Sequence, residues 1–214
     1  MDRRAVLTGS AALAASLAMP AVAAPVAKRT FRIIRDGDDI GRHTLEAYSS
    51  VKGFEIAIDI DIAVKFLGIT AYVYRLQNRE VWKGGEIVSI ESSTNDDGSE
   101  ERARIWRDGN ALKIEGSRFT GQAPISAVTT SYYALPFMKR APWISTQSGD
   151  PLEISVAPMP GRANWWGVTG ELQTSLGYDT RGEWVACEFD AGGEPAFYEN
   201  VGESGLIGEM WASA

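Results

Sequence analysis

From Phe54 to Phe66 every second residue is large and apolar. Phe54, Ile56, Ile58, Ile60, Ile62, Val64 and Phe66 alternate with Glu55, Ala57, Asp59, Asp61, Ala63 and Lys65. Successive side chains of a strand point to opposite faces, so a period of two gives a β-strand with one wholly apolar face. At about 3.3 Å per residue this strand runs to roughly 40 Å, well beyond the usual length. It must bend or belong to a large curved sheet, and Gly68 is placed to end it.

Turn chemistry divides the flanking sequence into a meander. Asp36-Gly37-Asp38-Asp39, Gly84-Gly85, Asn95-Asp96-Asp97-Gly98 and Asp108-Gly109 each separate alternating segments, as hairpin turns do. Short turns join antiparallel neighbours, so sheet order should follow sequence order. The pattern breaks between Gly121 and Gly149. There Ile125, Val128, Tyr132 and Leu135, following Pro124, carry the three-and-four spacing of a short helix that Pro136 would stop. Strands resume over 152–157, 169–178, 183–189 and 195–201, and 206–211 could add a last one. The expected fold is all-β and mainly antiparallel: a single strongly curved meander sheet forming an open or closed β-barrel of about ten strands with one short helix. A two-sheet sandwich is the competing architecture.

Residues 1–23 have a different character. Arg3-Arg4 precede a weakly apolar run, and Ala21-Val22-Ala23 has the small-residue pattern cut by signal peptidase. The paired arginines predict a Tat-type signal peptide, cleaved after Ala23, and a single periplasmic β-barrel-like domain over 24–214. The apolar run is too short to span a bilayer, and the mature chain has no membrane span. The whole chain of 214 residues has 21 Lys and Arg against 28 Asp and Glu, a formal charge of -7. That balance disfavours nucleic acid as a partner, because nucleic acid is bound chiefly through excess Lys and Arg.

The order Ile40-Gly41, Ile58-Asp59-Ile60, Phe66-Leu67-Gly68-Ile69, Tyr72-x-Tyr74, Glu80-Val81-Trp82, Ser131-Tyr132-Tyr133 and Thr146-Gln147-Ser148-Gly149 resembles a family of exported Gram-negative proteins of unknown function. The resemblance covers nearly the whole mature chain. It is distantly similar to the open β-barrels of periplasmic lipoprotein carriers. This resemblance implies a fold and a compartment, and brings no activity, cofactor or catalytic residue with it.

The side-chain inventory narrows the chemistry. His43 is the single histidine, set in an early strand with no nucleophile elbow anywhere, so it reads as an ordinary strand residue and no catalytic residue is assigned. Alternation puts Cys187 on the side opposite Trp184, Ala186 and Glu188, as a small buried hydrophobe. One His and one Cys cannot furnish a zinc or haem site, so no metal is expected, and the Gly-Gly pairs lack the following helix of a phosphate site, so no cofactor is expected either. Asp59 and Asp61 share one strand face and form the polar pair of interest; a hydrolase using them is the least favoured function. If the apolar face packs inward, both carboxylates meet solvent.

Aromatic residues are the class in excess. Tyr132, Tyr133, Phe137 and Trp143 are the candidate ligand-binding residues, placed to line an apolar cavity between helix and sheet, although ordinary core packing explains them equally well. The expected function is a non-catalytic binder or carrier of an apolar or amphipathic, lipid-like small molecule. The alternative is an envelope protein-protein interaction or assembly module with a protein partner.

Overall fold

The structure, a computed structural model, describes residues 24–51, 53–66 and 68–213. The expected signal peptide and the residues before its cleavage point lie outside the described residues. Eight strands form the first meander: β1 (Ala27–Arg35), β2 (Asp38–Ser50), β3 (Gly53–Phe66), β4 (Ile69–Lys83), β5 (Glu86–Asp96), β6 (Ser99–Asp108), β7 (Ala111–Gly116) and β8 (Thr120–Pro124). The β5–β6 connection is the two-residue loop Asp97-Gly98, with φ of 49° and 91°. Positive φ at both central positions is the type I′ geometry whose twist matches that of the flanking strands.

A linking segment carries three very short strands, β9 (Val128–Thr129), β10 (Trp143–Ile144) and β11 (Pro151–Leu152), and a 3-10 helix over Leu135–Lys139. A second meander follows: β12 (Ile154–Pro158), β13 (Trp165–Gly170), β14 (Thr174–Tyr178), β15 (Trp184–Asp190) and β16 (Pro195–Ser204), then helix α1 (Ile207–Ser213). β16 pairs antiparallel with β1, so the two meanders merge into one 13-stranded sheet in the order β12-β13-β14-β15-β16-β1-β2-β3-β4-β5-β6-β7-β8. β9, β10 and β11 make a separate three-stranded sheet.

The all-β, antiparallel, meandering expectation holds, while strand number and closure differ from it. The large sheet has 13 strands rather than about ten, and it is open, with β12 and β8 as its free ends. The segment expected as one strand over 169–178 falls in two, β13 and β14, separated by a turn over 171–173. The helix expected ahead of Pro136 is absent. β-Branched Val128 and Thr129 pair with β10 instead, and Pro136 opens a 3-10 helix, because a proline fits the first helical turn, where its missing N–H is not needed. The strand expected over 206–211 is α1, which buries Ile207, Gly208 and Trp211 on one side at helical spacing.

The linking segment fills one end of the sheet's inner face. Tyr132 packs edge-on against Trp184 of β15, with ring centroids 5.1 Å apart, and Tyr133 packs 6.0 Å from Phe54 of β3. At its far end the Ser148-Gly149 corner closes on Gly116 of β7, where an added Cβ would collide with the Ser148 carbonyl. A single segment reaches strands eight places apart in the order only if the sheet curls around it. Phe137, Trp82 of β4 and Trp211 of α1 complete an aromatic cluster, with centroids 5.1 to 5.7 Å apart.

Candidate functional site

The apolar face of β3 passes from this filled end to an open one. Phe54, Ile56 and Ile58 are buried, whereas Ile60, Ile62 and Val64 are only partly covered. Across the gap from these three residues lie the inner faces of β15 and β16. The result is a cavity of about 600 Å³, open on one side. Its walls include Ile60, Ile62 and Val64, then Tyr72 and Tyr74 on β4, Cys187 and Phe189 on β15, Tyr198 on β16, and Tyr132. That volume lies within the range of small-molecule sites, about 300 to 1,000 Å³, and the lining is mostly apolar and aromatic.

A second hollow, of about 740 Å³, shares Ile60, Tyr74, Tyr132 and Leu172 with the first. Its remaining wall is more polar and includes Arg118, Thr130, Gln147, Asp150 and Glu171. Gln147 ties this wall to the first cavity, because its amide donates to Asp96 at 3.2 Å and Asp96 accepts the Tyr72 hydroxyl at 2.8 Å. Burial and this hydrogen bond keep the Tyr72 phenol protonated. Tyr132 stands where the two hollows meet. Its backbone has φ of 35°, and its carbonyl accepts the Tyr178 hydroxyl at 2.7 Å. A non-glycine residue at positive φ is held there by its surroundings.

Of the four aromatics expected to line a cavity, Tyr132 does so. Tyr133, Phe137 and Trp143 sit in the packed core and line neither hollow. The Trp143 indole donates to the Arg140 carbonyl at 3.1 Å, and Phe137 lies between Trp82 and Trp211. Asp59 and Asp61 stand exposed on the outer face of β3. There Asp61 pairs with Arg75 at 3.2 Å and Asp59 accepts from Gln77 at 3.4 Å, across to β4.

His43 is buried with its Nδ1 3.4 Å from the Tyr198 hydroxyl, and burial pushes its pKa down to about 3. Cys187 is buried 3.2 Å from the Thr174 hydroxyl, and burial pushes its thiol up to about 12, so near neutral pH it is not a thiolate nucleophile. The expectation that Cys187 faces away from Trp184 is corrected. The β14–β15 register shifts where Tyr178 meets Trp184 and Gly177 meets Ala186, so Val185 is an extra residue. A bulge of one residue returns Trp184 and Cys187 to the same buried face.

Two buried carboxyl groups escaped the sequence reading. Glu80 is fully buried on the inner face of β4 and accepts hydrogen bonds from Asn78, Trp82, Thr129, Ser131 and Tyr133, the Trp82 indole at 2.8 Å. Burial outweighs these donors and raises its pKa. It ties β4 to the linking segment. The signal was present in the row Leu76, Asn78, Glu80, Trp82, where two polar residues share the face of a tryptophan. Glu183 performs a comparable task at the other side. Its carboxylate accepts the backbone N–H groups of Ile207 and Glu209 at 3.0 and 3.1 Å, which fixes the start of α1, and it lies 3.5 Å from the Arg29 guanidinium.

The solved structure of a β-barrel-like protein of domain of unknown function DUF1849 from Brucella abortus is similar to this chain, with a TM-score of 0.54 over 86% of this chain and 99% of the other, at 12% identity. At that identity the likeness is one of fold. A DUF1089 family protein from Pseudomonas aeruginosa matches at a TM-score of 0.39 and 12% identity, over 84% of this chain and 94% of the other. No curated protein sequence matches significantly. Among the described residues no helix is long and apolar enough to cross a membrane. The model of the domain of unknown function DUF6134 matches residues 31–201, and the chain belongs to that family.

Proposed function

We propose that this protein is a periplasmic, non-catalytic binder or carrier of an apolar or amphipathic small molecule. The observation that carries the reading is the open cavity of about 600 Å³ beside Ile60, Ile62 and Val64, walled by apolar and aromatic side chains at the end of the sheet that its linking segment leaves unfilled. Apolar surface left partly uncovered within a curved sheet gains free energy when a ligand removes it from water. Export through the paired arginines of the leader belongs to the same proposal.

The test is to express the chain with its own leader, recover it from the periplasm, and record native mass spectra alongside solvent extraction of the purified protein. A reproducible added mass matched by an extracted amphiphile supports the reading. A clean unliganded mass, with nothing extractable, contradicts it and favours an envelope interaction module using the free edges of β8 and β12. Replacing Asp59 and Asp61 together with Asn is expected to leave ligand content unchanged.

A further inference from the structure

The cavity's mouth carries one basic side chain, Arg35, at the end of β1, and one acidic side chain, Asp190, at the end of β15. The two do not pair. Arg35 donates its Nε to the Ala191 carbonyl at 2.7 Å, and Asp190 accepts the Gly193 backbone N–H at 2.8 Å. No carboxylate among the described residues lies within 4.0 Å of the Arg35 guanidinium. This distinguishes it from its neighbours, since Arg32 pairs with Glu199 and Arg42 with Asp39. The Nε contact fixes the guanidinium plane at the β15–β16 turn and leaves both terminal nitrogens without a carboxylate partner, beside a chamber of Ile40, Ile62, Leu172 and Phe189.

We propose that the ligand is a single-chain amphiphile with an anionic head, a fatty carboxylate or an alkyl phosphate, whose chain lies in the cavity and whose head is held by Arg35. The inference rests on the carrier reading and deepens it. A planar guanidinium with two free donors suits a carboxylate or phosphate in a bidentate pair, and such charge-assisted bonds are stronger than neutral ones. A neutral head of the same chain length would fill the same apolar walls and gain nothing from the arginine.

The experiment titrates the purified full chain with laurate, dodecyl phosphate and dodecanol, for the wild type, Arg35→Gln and Arg35→Lys. The expected result is that the wild type binds both anions about tenfold or more tightly than dodecanol, the increment of one good charge-assisted contact. Arg35→Gln loses that preference while holding dodecanol as before, and Arg35→Lys retains part of it. The tighter of the two anions identifies the head. Added salt should weaken the anions and leave dodecanol unaffected, which tests the idea without any variant. Equal binding of all three ligands by the wild type, or an anion preference that survives in Arg35→Gln, overturns the inference and leaves the carrier reading standing. Failure of all three ligands to bind overturns both.

Discussion

The two ends of β3 have the same alternation and opposite fates. Near Phe54 the apolar face meets the linking segment and α1, and Phe54 and Ile56 are buried beside the aromatic cluster of Trp82, Phe137 and Trp211. Near Val64 the face is equally apolar in sequence, yet no described segment covers it fully and a cavity remains. Periodicity therefore specifies which face is apolar but not what covers it. Cover at the filled end comes from residues about 80 and 150 positions away, held by the carboxylates of Glu80 and Glu183. The filled end holds the packed core, and the open end is where the proposed ligand would sit.

The largest contrast should come from truncation. Trp82→Ala removes a fully buried indole from the filled end and is expected to cost about 3 to 5 kcal/mol, whereas Ile62→Ala at the open end should cost about 1 kcal/mol, because its neighbours already border a void. Urea denaturation of both variants checks the difference, and equal losses would abolish the distinction.

Acid should act next most strongly, through His43. An unfolded imidazole takes up its proton near pH 6.5, and the buried one does so only near pH 3. Between those values the unfolded chain holds the extra proton, so stability falls as pH drops from about 6.5 to about 3. At about 1.4 kcal/mol per pH unit the loss comes to between about 4 and 5 kcal/mol. His43→Phe should flatten that limb in stability measured against pH.

Glu80 works in the other direction. Its raised pKa means that the folded chain keeps a proton the unfolded chain has released, a contribution present below the ordinary carboxyl range and lost as pH rises through the raised value. Glu80→Ala strands five donors and should cost about 3 kcal/mol. Glu80→Gln should cost about 1 kcal/mol, because its two amide hydrogens can go to the Ser131 hydroxyl and, once the Asn78 amide turns over, to the Asn78 carbonyl oxygen, which has no partner at present. Thermal unfolding at pH 5 and pH 8 separates the two variants, and the Gln variant should compare better with wild type at the higher pH.

Much of the fold was legible because it is local. The alternation of β3 and the Asp-Gly loops are written in neighbouring residues, and the meander follows from them. The linking segment was misread because Ile125, Val128, Tyr132 and Leu135 have helical spacing while Val128 and Thr129 have strand chemistry, and pairing with β10 decided between them. The cavity was legible only in part. Adjacent Tyr132 and Tyr133 look alike in sequence, but Tyr132 faces the hollow and Tyr133 the Glu80 carboxylate. Arg35 is an unremarkable residue before a turn until β15 and β16 bring the cavity to it, a non-local event that no window of sequence contains.

Reception of a ligand by the uncovered half of β3 is open to direct measurement. Calorimetric titration with dodecanol of the wild type and of Ile62→Trp, which fills the cavity from its own wall, tests it most directly. Wild type should bind with a negative heat-capacity change, the mark of apolar burial, and Ile62→Trp should bind about tenfold or more weakly with its unfolding midpoint unchanged. Undiminished binding in Ile62→Trp, or no binding by the wild type, would contradict it.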